Sequence, residues 1–403
     1  MIEVKKATAA NILCIGSAWF PNKPGGLERY VYELVNHLVA SNDKVELCGV
    51  GLPEMSPESS AIELINLAAP EERIWQRLWR IRSNFLHFMN QKTIQPDAIN
   101  LHFALYSFPL LQLLPSGVPV TFSFHGPWAL ESQQEGSNQL SVWIKSWLEQ
   151  LVYQRCDRFI VLSKAFGTIL HERYKVPWIK IHVIPGGVDP TQFQISLSRS
   201  QAREQLGWQS DRFIVFTPRR LVQRMGIDVL LNALAEVKLE HPNIWLAIAG
   251  KGSQKDSLEQ QALELGLENH VKFLGYVPEE DLKVAYQAAD LTIMPSQSFE
   301  GFGLVLLESL ASGTPVLCTP VGGMPEVLMN FSPELITSSA DAKAIATKLK
   351  ALLSGEISLP DRDICREYAT TNFNWTKIAE RVRRVLLLPL NKSIDVGLNS
   401  SNL

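Results

Sequence analysis

The 403-residue chain is 46% hydrophobic and 20% charged, a globular balance that excludes a disordered polymer and exceeds what one hydrophobic core organises. Its formal net charge of −3 excludes a global attraction to nucleic acid, so any basic site has to be local. Five scattered cysteines, Cys14, Cys48, Cys156, Cys318 and Cys365, show no CxxC spacing. Neither a zinc site nor a disulfide framework is expected, and a reducing cytosol fits.

In chain order, the apolar run 12–20 is short and ends in Pro21-Asn-Lys-Pro-Gly-Gly26, so it reads as strand and loop rather than as a signal peptide. No window is long enough for a membrane helix. The expected location is cytoplasmic, with the inner face of the cell membrane as the site of any peripheral contact. Residues 11–17 form a first strand, and Leu27, Tyr30, Val31, Leu34, Val35 and Leu38 then repeat at helical spacing over 26–40. Further strands are expected at 44–50, 98–103, 118–125, 158–163 and 181–184. After the turn Pro185-Gly-Gly-Val-Asp-Pro190 a polar stretch, 194–203, marks a domain boundary.

The alternation then restarts. Strands at 213–217, 244–249, 271–274, 291–294 and 315–318 are separated by helices at 228–240, 254–265, 279–289 and 303–312. A last amphipathic helix runs over 375–388, and a polar tail, 391–403, is expected to fray. The organisation expected is an N-terminal Rossmann-like domain over 1–190 and a second Rossmann-like domain over 191–372. The helix of 373–390 returns to the first domain, and 391–403 is a flexible tail. Open α/β sheets bind ligands beyond the carboxyl ends of their strands, so the function is expected between the two domains.

The most specific segment is Phe299-Glu-Gly-Phe-Gly-Leu-Val-Leu-Leu-Glu308, directly after a strand. Gly301 and Gly303 allow close backbone approach, and a helix starting there directs its N-terminal N–H groups at an anion such as a pyrophosphate. Glu300 and Glu308 are acceptor-only carboxylates at two depths, suited to pairs of sugar or ribose hydroxyls.

This segment resembles the E-x7-E signature of family 4 glycosyltransferases, and other elements match in order. Pro24-Gly25-Gly26-Leu27-Glu28-Arg29 resembles the family's N-terminal glycine loop, and Ser123-Phe124-His125-Gly126 its His-Gly element. Ser163-Lys164-Ala165 resembles its S-x-A turn, and Ile184-Pro-Gly-Gly-Val-Asp189 its hinge signature. Arg219-Arg220-Leu221-Val222 through Met225-Gly226 resembles its phosphate-gripping loop. Ala249-Gly250-Lys251-Gly252 and Gly313-Thr314-Pro315-Val316, followed by Gly322-Gly323, complete a series reaching from about Asn11 to about Leu388.

The resemblance implies a GT-B fold, two Rossmann-like domains facing across a cleft, and retaining transfer of a hexose from a nucleotide-sugar donor, UDP-hexose before GDP-mannose. The acceptor implied is a glycan, a lipid-linked glycan or a small molecule, in polysaccharide or glycoconjugate synthesis. No cofactor and no divalent metal are implied, and nucleic acid is not a partner. Glu308 is assigned to the donor ribose and Glu300 to the transferred sugar. Gly301, Phe302, Gly303 and Leu304 supply backbone donors to the diphosphate, with Gly25 and Gly26 approaching it as well. Arg220 and Arg224 are its cations, and His125 contacts the transferred sugar. The family commonly has Lys just before the glycine, where this chain has Met225. The second cation must then come from Arg224 or from elsewhere.

Other signals compete. Asp361-Arg-Asp363 has the form of a DxD metal motif but lies outside any strand end, and chance is the preferred reading. Residues 72–92 interleave Arg73, Arg77, Arg80 and Arg82 with Ile74, Trp75, Leu78, Trp79 and Phe85. That pattern suits a helix on an anionic membrane, though a helix packed on the N-terminal domain with its arginines in water is preferred. Trp128, Trp143 and Trp147 suit an acceptor site or core packing equally. A dinucleotide-dependent oxidoreductase fails at the first strand, which lacks G-x-G-x-x-G. A same-fold epimerase or phosphorylase, or a non-catalytic nucleotide-sugar-binding protein, stays open as an alternative.

Overall fold

The computed structural model describes residues 9–54 and 61–390, so the tail expected at 391–403 lies outside the described residues. The chain divides into two compact units. The first takes Met1–Leu130, Asn138–Gly186 and Trp375–Leu403, and the second takes Glu131–Ser137 and Gly187–Asn374.

In the first unit seven strands form one sheet: β1 (Asn11–Ile15), β2 (Lys44–Val50), β3 (Ile62–Ala68), β4 (Ala98–Leu101), β5 (Val120–Phe124), β6 (Arg158–Val161) and β7 (Ile181–Val183). Their order is β3-β2-β1-β4-β5-β6-β7 and every pairing is parallel. Interior strand β5 is buried at every position, as expected where helices cover both faces of a parallel sheet. Phe122 and Phe124 enter a core with Tyr153, Phe159 and Phe166. Thr121 and Ser123 take the opposite face, where the Ser123 hydroxyl donates to Asn100 Oδ1 at 3.0 Å.

Strand β3 was not among the expected elements. It is an edge strand with Glu63 and Asn66 exposed or half-buried, and it lacks the continuous apolar run that marks the buried strands. The helix Gln139–Arg155 was missed for a similar reason, because Trp143, Ile144 and Trp147 are exposed and blur its amphipathic pattern. Core packing therefore does not account for those two tryptophans. The helix Trp375–Leu386 buries Ile378, Val382, Val385 and Leu386, and Arg383 clamps the buried Asp43 with bonds of 2.6 and 2.8 Å.

The second unit holds β8 (Phe213–Pro218), β9 (Ile244–Ala249), β10 (Val271–Gly275), β11 (Leu291–Met294) and β12 (Val316–Cys318) in the parallel order β10-β9-β8-β11-β12. Helices Ile227–Val237, Lys255–Glu264, Glu279–Ala288 and Leu304–Ala311 stand where the spacing places them, to within about one turn. Asp361 is the N-cap of the helix Arg362–Asn372, accepting the Asp363 N–H at 2.8 Å. All five cysteines are buried and unpaired. Among the described residues no helix is long and apolar enough to cross a membrane.

Candidate functional site

In a doubly wound sheet the crevice opens where the strand order reverses, here between β8 and β11 of the second unit. The segments leaving those two strands are Arg219-Arg220 and the loop 295–303. Arg219 is buried and pairs with Glu300, and its terminal nitrogen also donates to the Ser296 hydroxyl at 2.5 Å. Ser296 donates in turn to Glu300 at 3.2 Å. Burial alone would raise the Glu300 carboxyl. The Arg219 guanidinium beside it outweighs that, and the group is held below the ordinary carboxylate range.

Two backbone features shape this loop. Phe299 has φ 47°, a strained value for a residue with a side chain, just before Glu300. Gly322 backs the loop so closely that a Cβ there would lie 1.9 Å from the Glu300 carbonyl oxygen. Gly303, at φ 80°, starts the helix Leu304–Ala311, whose first turn has no side-chain cap. Phe302 is buried against Phe373 at 5.7 Å, and Gly301 and Leu304 flank the helix start half-buried. Glu308 is buried deeper on that helix and accepts the Tyr286 hydroxyl at 2.8 Å.

Arg220 is exposed, and its side chain makes no hydrogen bond or ion pair among the described residues, while its carbonyl accepts the Val222 N–H at 3.0 Å. Arg224 is buried between Glu131 at 3.4 Å and Glu135 at 3.5 Å, and it donates to the Phe299 carbonyl at 3.3 Å. Met225 is also buried, so its side chain does not stand where a loop cation would. Residue reasoning missed Arg219, Ser296, Tyr286, Glu131 and Glu135. Only Arg219 carried a signal, as the first of the Arg-Arg pair.

In the first unit His125 follows β5 and His102 follows neighbouring β4, two strands that pair in parallel, which brings both residues to the carboxyl ends of adjacent strands. Their facing nitrogens, His102 Nδ1 and His125 Nε2, are 3.2 Å apart. Tyr30 packs edge-on against His125 at 4.8 Å and against Trp375 at 5.3 Å. Burial pushes the His125 pKa down to about 3 and drives His102 well below its ordinary value, with His125 adding to the effect. Both rings are therefore neutral at pH 7.

Gly25 is the N-cap and Gly26 the first residue of the helix Gly26–Ala40, and both are exposed. A Cβ on Gly25 would meet Glu28 Oε2 at 2.3 Å, and one on Gly26 would meet nothing within 4 Å. Glu28 is held under the loop by Ser17 and Lys23, both at 2.8 Å. Glu28 thus packs close beneath Gly25, while Gly26 faces open space.

Comparison with known proteins follows this geometry. The sequence model of Glycosyltransferase Family 4 matches residues 24–192, and that of Glycosyl transferases group 1 matches residues 198–372. An uncharacterized glycosyltransferase of Methanocaldococcus jannaschii is 36% identical over 179 residues, 44% of this chain and 45% of the relative. A GDP-mannose-dependent alpha-(1-6)-phosphatidylinositol monomannoside mannosyltransferase of Mycolicibacterium smegmatis is 32% identical over 218 residues, 52% of this chain and 57% of the relative. The chain thus spans about half the length of these curated relatives.

Among solved structures, sucrose-phosphate synthase from Thermosynechococcus elongatus aligns with a TM-score of 0.76 at 24% identity, covering 93% of this chain and 98% of that one. Anabaena HepE in complex with UDP-glucose aligns with a TM-score of 0.69 at 21% identity, covering 94% and 99%. Two parallel sheets with this strand order and these neighbours define the GT-B fold. The chain belongs to glycosyltransferase family 4.

Proposed function

We propose that this chain is a hexosyltransferase that draws on a nucleotide-sugar donor, UDP-hexose before GDP-mannose, and transfers with retention and without a divalent metal. The observation that carries the reading is the grouping of Glu300, the Gly301–Leu304 turn and Glu308 around a single helix start at the reversal point of the second sheet. Glu308 binds the ribose hydroxyls and Glu300 orients the hexose. The helix N-terminus, with Gly301, Phe302, Gly303 and Leu304, takes the diphosphate, whose charge grows as the leaving group departs.

Exposed Arg220 supplies the first cation, and Arg224 supplies the second after exchanging Glu131 and Glu135 for phosphate oxygens. His125 meets the transferred sugar, and Gly25 and Gly26 serve the diphosphate. Catalysis rests on positioning and on leaving-group stabilisation. The acceptor is a glycan, a lipid-linked glycan or a small molecule in polysaccharide or glycoconjugate synthesis. The reaction is placed in the cytoplasm, at the inner membrane face where the acceptor is lipid-linked. UDP-glucose in the Anabaena neighbour supports the first donor choice, and the dependence of the Mycolicibacterium smegmatis relative on GDP-mannose supports the second.

Titration with UDP-glucose, UDP-galactose, UDP-N-acetylglucosamine and GDP-mannose tests this, with melting temperature as readout and EDTA as a control. One donor should raise the melting temperature by mass action, with EDTA indifferent and Glu308→Ala abolishing the shift. If all four fail at millimolar concentration, the donor assignment falls. If a donor binds but is never transferred or hydrolysed, a non-catalytic binder replaces the enzyme, and an inverted product anomer removes the retaining mechanism.

A further inference from the structure

His102 is 1% exposed and is held by its backbone N–H on the Ile15 carbonyl at 2.9 Å. Its imidazole and that of His125 have planes inclined by only 26° and centroids 5.5 Å apart, so a hydrogen of one ring lies close to the plane of the other ring's lone pair. Two neutral imidazoles sharing one 3.2 Å contact allow two proton arrangements. In one, His125 donates from Nε2 to His102 Nδ1, and His102 then carries its own hydrogen on Nε2. That Nε2 is buried and has no hydrogen-bond partner among the described residues, so this arrangement strands an N–H donor in the interior. In the other, His102 donates from Nδ1, and the stranded Nε2 is a bare acceptor. An orphaned buried donor is the rarer and costlier of the two.

We propose that His102 is a positioning residue that donates from Nδ1 to His125 Nε2, so that His125 carries its hydrogen on Nδ1 and meets its substrate as a hydrogen-bond donor. His125 Nδ1 makes no hydrogen bond among the described residues, and the residue is half-buried rather than fully enclosed, so the donor is available. Tyr30 supports the arrangement from the side by packing its ring edge against His125. The identity of the group that receives the hydrogen, a sugar hydroxyl or a donor oxygen, rests on the transferase reading above, whereas the tautomer does not. A neutral donor cannot take a proton from the acceptor hydroxyl, so His125 polarises and orients rather than acting as a general base.

Nuclear magnetic resonance of the ligand-free, histidine-15N-labelled chain reads the tautomer directly through two-bond proton–nitrogen correlations. The expected spectrum assigns His125 a protonated Nδ1 and an unprotonated Nε2. His102→Asn, whose amide places an N–H near the former Nδ1, should preserve that pattern, and His102→Asp, an acceptor there, should reverse it. Transfer should stay within a few-fold of the parent in the first variant and fall at least about tenfold in the second, with KM for the donor less affected than kcat.

A protonated Nε2 on His125 in the parent protein overturns the inference, whatever the variants do. If either variant loses its cooperative melt, the parent spectrum decides alone. A δ tautomer in a chain that binds no nucleotide sugar sinks the transferase reading and leaves the tautomer standing. An ε tautomer in an active enzyme does the opposite.

Discussion

Glu149 lies 1% exposed in the first unit, where the Tyr174 hydroxyl donates to it at 2.7 Å, and the Tyr153 hydroxyl and the Ala129 N–H each at 3.4 Å. Burial outweighs these donors and pushes the carboxyl up to about 7. A folded-state value raised above the ordinary 4.5 favours the protonated form in the native protein. Its stabilising contribution is complete below about pH 4.5 and is lost as the pH rises through about 7, an effect of about 3 kcal/mol. Denaturant unfolding of the parent and of Glu149→Gln between pH 4 and 8 should therefore show the parent losing about that much relative to the variant. Parallel profiles would mean that the Glu149 pKa is the same in the folded and unfolded chain. The same competition runs the other way at Glu300, where Arg219 overrides burial. Glu300 and Glu308 were legible from their eight-residue spacing at a strand end. Arg219 as the partner of Glu300 was not, because the two are brought together by β8 pairing with β11.

At the level of elements, the helix Leu304–Ala311 depends on a residue that can adopt φ 80° at its start. A Cβ on Gly303 would sit 2.3 Å from Leu306 Cδ1. Gly303→Ala should cost about 1–3 kcal/mol of stability through the left-handed backbone and the displaced leucine. It should also weaken donor binding, because the same shift re-aims the first helical N–H groups. Chemical unfolding and donor titration on one preparation check both effects, and unchanged values in the two would remove the helix start from the site. Strands with continuous apolar runs were readable without a structure, since burial on both faces demands such composition. Edge strand β3 was not, because half-exposure permits Glu63 and Asn66.

Across the whole molecule, a net charge of −3 conceals a local opposite. The helix Ile74–Gln91 carries Arg77, Arg80 and Arg82 with no acidic residue between its ends, and it buries only Ile81 and Phe85. Trp75 and Trp79 stand 62% and 69% exposed. The packed-helix reading accounts for Ile81 and Phe85 but leaves both tryptophans in water. Arg80 is paired with Glu72, and Arg82 donates to the Pro109 carbonyl, which fixes the side chains without removing their charge from the surface. The protein should co-sediment with vesicles containing anionic phospholipid more than with neutral ones. Added salt should weaken the binding, and Trp75→Ser with Trp79→Ser should reduce it several-fold. Equal sedimentation with neutral vesicles would remove the electrostatic part of this contact.

By itself the sequence determined the two rounds of strand–helix alternation and the family, and it placed the two glutamates at a helix start. Local chemistry is enough for these: apolar runs make buried strands, glycines make tight turns, and their order along the chain is itself the signature. Only the tertiary structure decided which partners those residues meet. Arg219 rather than Arg220 neutralises Glu300, Arg224 is shared by Glu131 and Glu135, and His102 faces His125. The first and last of these pairings depend on the order in which parallel strands lie in a sheet. That order is a balance of packing over the whole domain, and residue spacing does not record it.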